Sequence, residues 1–174
     1  MRAELNRHRF WGLWRLVPST IVVLYLGELI VALALAAALL AGSNCGLSVA
    51  ILFFICGFVA WTLAEYIAHR FVLHAIATIQ HGDHHADPQG PIVRIFWQIW
   101  LAFSVVYLTT AGPVLAGVLV AYAWYLSVHH CAHHNPAALP ASLLKHHLDH
   151  HRFARRNFGV TTKVWDRVFG TILR

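Results

Sequence analysis

Apolar residues gather along this chain in four long blocks, from Thr20 to Leu40, Leu47 to Ala64, Ile92 to Ala111 and Pro113 to Val128. A helix needs about 20 mostly apolar residues to cross a hydrocarbon core, so each block predicts a transmembrane helix. The first two meet at Gly42-Ser43-Asn44-Cys45-Gly46, whose glycines and short polar residues favour a turn. The last two meet at Gly112-Pro113, which leaves almost no loop between them. The pattern predicts an all-α integral membrane protein, with four transmembrane helices in two hairpins and the remaining polar segments forming a helical cap. One domain spans residues 1–174, with no linker, low-complexity run or internal repeat.

Composition agrees: 59% of residues are hydrophobic, 11% are charged, and mean hydropathy is +0.60. Charge then orients the hairpins, because lysine and arginine accumulate on the cytoplasmic side. Of the 13 basic residues, four precede the first block (Arg2, Arg7, Arg9, Arg15), two lie between the second and third (Arg70, Arg94), and seven follow the fourth. None falls in a hairpin turn, so both termini and the central loop are expected on the cytoplasmic face. The first block exceeds the roughly 7 to 15 apolar residues of a secretory signal and three more blocks follow, which makes it a span. Arg152, Arg155 and Arg156 beside a membrane anchor suit anionic headgroups, not nucleic acid. The three cysteines, Cys45, Cys56 and Cys131, form no CxxC pair, which excludes a zinc knuckle or a dithiol redox motif.

Histidine changes the picture most. There are 14, and all but His8 crowd the predicted cap: His69 and His74, then His81, His84 and His85, then the run at 129–134, then His146, His147, His150 and His151. His81-Gly82-Asp83-His84-His85 and His147-Leu148-Asp149-His150-His151 are two copies of HxxHH, and helical positions i, i+3 and i+4 share one face. His129 with His133, and equally His130 with His134, stand one turn apart. His69 and His74 fit an ideal helix poorly, since five residues turn the second about 140 degrees from the first. Either the helix departs from α geometry there or the two serve different ions. One such histidine reads most simply as a hydrogen-bonded core residue. Four clusters on one membrane face do not. About ten imidazoles exceed what one ion can use, so the count predicts a dinuclear metal site with about five ligands per ion.

The run Glu65-Tyr66-Ile67-Ala68-His69-Arg70-Phe71-Val72-Leu73-His74, the two HxxHH boxes, HHCAHH, and a tail with Asn157-Phe158-Gly159-Val160-Thr161-Thr162, Trp165-Asp166 and Phe169-Gly170-Thr171 together resemble the fatty acid hydroxylase superfamily. The resemblance covers about residues 60–174 in motif order. It implies the ligands His69, His74, His81, His84, His85, His129, His133, His147, His150 and His151, and so selects His129 and His133 over the neighbouring register. It further implies a membrane lipid hydroxylase that uses two iron ions and dioxygen to oxidise a C–H bond, a sterol or carotenoid oxidase or desaturase of the same superfamily being the alternative. A membrane metal-binding protein without chemistry is the reading from outside the enzymes. Iron can cycle in redox state and zinc cannot, although zinc competes well for nitrogen ligands. Glu65, Asp83 and Asp149 sit within or beside the boxes and are candidate acceptors for imidazole N–H groups, with helix capping or solvation as the plainer alternative. Asp166 is expected to hold the tail's fold. Glu28, the one charge deep in a block, reads either as a functional carboxylate or as a hydrogen-bonded helix contact. There is no Gly-rich nucleotide fingerprint. Electrons are therefore expected from a separate reductase chain with a ferredoxin or cytochrome carrier, docking on the basic tail.

Overall fold

The computed structural model describes residues 18–76, 78–89 and 96–173. Arg2, Arg7, Arg9, Arg15 and Arg94, and the predicted start of the third block at Ile92, lie outside the described residues. Every element among the described residues is helical: α1 (Pro18–Ala41), α2 (Leu47–Ile67) running into a π turn (Ala68–Leu73), α3 (Thr78–Ala86), α4 (Phe96–Thr109), α5 (Gly112–His134), a 3₁₀ turn (Pro136–Ala138), α6 (Ala141–Arg152) and α7 (Val164–Val168).

Both predicted turns are present. α1 ends just before Gly42, and α5 opens at Gly112 with Pro113 in its first turn, where a missing N–H costs nothing. Among the described residues two helices are long and apolar enough to cross a membrane, Leu47–Leu73 and Gly112–His134. The described part of the third block, α4, has 14 residues. At a rise of about 1.5 Å per residue that is about 21 Å, short of a hydrocarbon core of about 30 Å. α5 also runs past the predicted end at Val128 to His134, because the histidines that stop the apolar pattern do not stop the helix.

α5 is the central helix, packed between α1 and α2. Its contact with α2 is backbone on backbone. A Cβ on Gly117 would lie 2.0 Å from the Phe54 carbonyl oxygen, and one on Gly57 would lie 1.9 Å from that of Val114. Small residues at such crossings maximise dispersion contact where lipid supplies no hydrophobic drive. Against α1 the seam uses Ala32 and Ala36 facing Leu115, Ala116 and Leu119. Glu28 accepts a 2.5 Å hydrogen bond from the hydroxyl of fully buried Tyr122, so this carboxylate is a helix contact. Trp61, Phe103 and Tyr122 form an aromatic cluster beside it, with centroids 5.2 to 5.6 Å apart.

Candidate metal centre

The π turn that ends α2, the residue just after it, α3, α5 and α6 bring their histidines to one end of the bundle. The ring nitrogens form two groups of five. His69, His74, His81, His85 and His150 make the first, and His84, His129, His133, His147 and His151 the second; within each, the donor atoms lie within 4.8 Å of one another. Each HxxHH box is split between the groups, so α3 and α6 bridge them.

The awkward spacing of His69 and His74 is resolved by the π turn. Its i→i+5 hydrogen bond, His74 N to His69 O at 3.2 Å, sets residues five apart one above the other. The two rings then stand 5.1 Å apart in the same group. The register left open on α5 is decided as well. His129 and His133 enter the second group, while His130 and His134 stack on each other at 4.6 Å and His130 stacks on Tyr25 at 4.5 Å.

Distances within the groups bear on what could sit there. His81 Nε2 is 2.9 Å from His69 Nε2, 3.0 Å from His74 Nε2 and 3.1 Å from His85 Nε2. A ring nitrogen has one in-plane hydrogen or lone pair, so it cannot make three imidazole hydrogen bonds at once. A shared cation meets all four: nitrogens about 2.1 Å from one ion at right angles are themselves about 3.0 Å apart. In the second group His129 and His84 approach to 2.9 Å, His147 and His133 to 2.9 Å, and His147 and His151 to 3.2 Å.

Burial favours the neutral form of His74, His81, His147, His150 and His151, the form in which an imidazole binds metal. Loss of solvent, reinforced by neighbouring imidazoles, lowers the pKa of His81 and of His151 to about 2. His74 is lowered to about 4 by burial and then by His85. Burial also brings His150 down to about 3, against a backbone hydrogen bond that raises it, and drives fully buried His147 well below its ordinary value.

The acceptors behind the rings are not the acids the motifs suggest. Asp149 pairs with exposed Lys145 at 2.5 Å, and among the described residues no imidazole donates to it or to Asp83. Both lie on the outer side of their helices. Glu65 is buried but accepts Val160 N at 2.7 Å, Thr161 N at 3.0 Å and the Thr161 hydroxyl at 2.6 Å, tying α2 to the tail. The imidazoles turn instead to backbone carbonyls: His69 Nδ1 to Phe158 O at 2.5 Å, and His150 Nδ1 to Arg156 O at 2.7 Å.

Local geometry explains why the tail offers those two carbonyls. Asn157 between them has φ 56°, a left-handed conformation that asparagine tolerates. Its side chain fixes the turn by donating to His146 O and accepting Leu173 N. A Cβ on Gly159 would meet Thr162 O at 2.1 Å, so the loop closes only with glycine there. Asp166, fully buried, accepts from Phe158 N, Gly159 N, the Thr171 hydroxyl and His146 Nε2. Burial alone would raise its pKa; these four donors outweigh it and hold the carboxyl below the usual range. Sequence reasoning placed Asp166 in the tail's fold, which is where it sits. It missed His146, a structural partner of Asp166, and the two carbonyls; the Asn-x-Gly turn signal was the only hint of the latter.

Residues 54–171, which include all ten histidines, match the family model described as Fatty acid hydroxylase. The chain is 33% identical over 138 residues to a dihydroceramide fatty acyl 2-hydroxylase of Arabidopsis thaliana, covering 67% of this chain and 58% of that one. It is 35% identical over 151 residues to the ceramide very long chain fatty acid hydroxylase scs7 of Schizosaccharomyces pombe, covering 71% and 43%. Among solved structures, that of full-length scs7p, in which only the hydroxylase domain is visible, is similar with a TM-score of 0.65 at 30% identity, over 92% of this chain and 67% of that one. The chain thus spans a little over half the length of the Arabidopsis relative and less than half that of the fission yeast one.

Proposed function

We propose, on the premise that this chain belongs to the fatty acid hydroxylase family, that it hydroxylates the acyl chain of a membrane lipid at a di-iron centre held by the ten histidines. The observation that carries the reading is the convergence of ten imidazoles into two sets of five, with His81 Nε2 in close contact with three other ring nitrogens.

Two iron ions supply, when bound, the redox activation of dioxygen that an unactivated C–H bond requires, which redox-silent zinc cannot do. The chain's residues do the rest. Five imidazoles would hold each ion, Phe158 O and Arg156 O fix the rings of His69 and His150, and burial of His84, His129, His133, His147 and His150 keeps bulk water out. One oxygen atom enters the lipid and the other leaves as water, so each turnover takes two electrons and two protons. A separate ferredoxin or cytochrome carrier, with its reductase, delivers the electrons at the exposed basic face around Arg152, Arg155 and Arg156.

α1 with α2, and α4 with α5, form two membrane hairpins, with the histidine end on the cytoplasmic side. The acyl chain then enters from the bilayer itself. Relatives named as fatty acyl and ceramide hydroxylases support an acyl chain over a sterol or carotenoid, and the 2-hydroxylase in Arabidopsis points to the carbon next to the carbonyl.

The test is metal analysis of purified full-length chain together with lipid mass spectrometry under ¹⁸O-labelled dioxygen and reductant. Near two irons per chain and an ¹⁸O-hydroxylated acyl lipid are expected, with iron reduced to about one per chain and the product lost in His84→Ala. A single loosely held ion with no dioxygen consumption overturns the oxygenase in favour of a metal-binding protein.

A further inference from the structure

We infer that α7 and its flanks form a membrane-inserting surface: Val164, Val168 and Phe169 sit among acyl chains, and Lys163 and Arg167 meet the phosphates of anionic lipids. The inference rests on the reading of α2 as a membrane span and asks where along that span the tail is attached.

α2 starts at Leu47, directly after the polar turn at 42–46. About 20 residues at about 1.5 Å each cross the hydrocarbon core, which puts its other boundary near Ile67. α7 is fastened below that level. Trp165 Nε1 donates to Thr62 Oγ1 at 3.0 Å, and the Phe169 ring stacks on Tyr66 with centroids 5.2 Å apart and planes 14° from parallel. A helix tied at Thr62 and Tyr66 lies at the edge of the hydrocarbon, not in the aqueous phase above it.

The outer face of α7 suits that depth. Val164 and Val168, one turn apart, are 48% and 63% exposed, and Phe169 is 49% exposed. At the end of α2, on the π turn and just after it, Ile67, Phe71, Val72 and Ile76 are also exposed. Of the two charged residues of that stretch, Glu65 is buried, and Arg70 on the π turn is folded back: it donates to the Tyr66 hydroxyl at 2.8 Å and lies 4.9 Å over the Phe71 ring. On α7 the only acid, Asp166, is turned inward and fully buried. Lys163 and Arg167, again one turn apart, border the apolar strip, the arrangement by which long basic side chains keep their stems in lipid and their charges at the headgroups. Trp165 is of the residue type enriched at this interface.

The experiment uses full-length chain in vesicles of phosphatidylcholine and phosphatidylglycerol, with a photoreactive benzophenone side chain at Val168, at Val164 in a second preparation, and at Arg155 on the exposed cap as reference. Illumination is expected to yield lipid adducts at 168 and 164 several-fold above those at 155, and Arg167→Glu is expected to lower the phosphatidylglycerol share of the adducts. Lipid labelling at 168 and 164 no higher than at 155 overturns the inference, and an unchanged phosphatidylglycerol share overturns its charge component. Cross-linking requires neither metal nor turnover. Hydroxylation without lipid adducts therefore removes only this inference, and adducts without hydroxylation count only against the proposed activity.

Discussion

The two histidine groups contain the same residue type in the same number, yet they are held by different means. The first draws its rings from the π turn, the residue just after it, α3 and α6, and two of those rings are gripped from behind by carbonyls of the tail. The second draws on α3, α5 and α6. Two of its members ride on the buried central helix, and the Nδ1 atoms of His147 and His151 are buried with no hydrogen-bond partner among the described residues. The orientation of His69 and His150 in the first group thus depends on hydrogen bonds from a folded tail, whereas that of His147 and His151 in the second, like that of His85 in the first, depends on packing. A ligand ring normally donates its second nitrogen to an acceptor. Where that acceptor is missing, close packing must supply the rigidity.

The contrast can be broken most severely by deleting a ligand. His69→Ala and His147→Ala are each expected to reduce bound iron from about two per chain to about one and hydroxylation by at least about 100-fold, measured by metal analysis and product formation. Full activity in either variant would remove that group from the chemistry. Asp166→Asn comes next. An amide facing the donors of Phe158, Gly159, Thr171 and His146 leaves at least one of them unsatisfied and should cost about 3 kcal/mol in thermal or denaturant unfolding. Iron should be lost first from the first group, so metal content passes through one per chain on mild chelation. Equal loss from both groups would mean that the tail does not distinguish them.

Acidification gives a graded version of the same comparison. The folded values of about 4 for His74, 2 for His81, 3 for His150 and 2 for His151 lie below the unfolded value of about 6.5. The unfolded chain therefore binds more protons over that interval, and stability of the metal-free protein should fall steadily as pH drops below about 6.5. Asp166, lowered in the folded state, adds to the loss once pH passes below about 4. Thermal unfolding of chelated protein from pH 8 to pH 4 measures this; a flat profile would mean that the rings protonate without unfolding. The smallest effect belongs to Asp149→Asn. It removes an exposed ion pair with Lys145, so stability should change by no more than about 0.5 kcal/mol, with iron content unchanged. Loss of iron would restore Asp149 as a partner of the ligands.

Much of the site was legible because imidazoles at i, i+3 and i+4 must share a helix face wherever the helix forms. The residues behind the rings were not legible. A backbone carbonyl has no side-chain identity, so nothing in Phe158 or Arg156 as residue types announces an acceptor. Acids next to a histidine in sequence, such as Asp83 and Asp149, fall on the opposite side of their helices for the same periodicity that brings the histidines together.

The sequence by itself determined the helical character of the chain, the two turns and the crowding of histidine at one end, because these follow from hydropathy, glycine and proline placement and helical period. Tertiary structure alone decided which five rings form each group, that His69 and His74 share one through a π turn, that His129 and not His130 faces inward, and that Glu65 holds the tail. Those outcomes depend on how closely α2 and α5 approach and on how the tail folds back over α2. Both involve residues far apart in the chain, whose contacts no local pattern records.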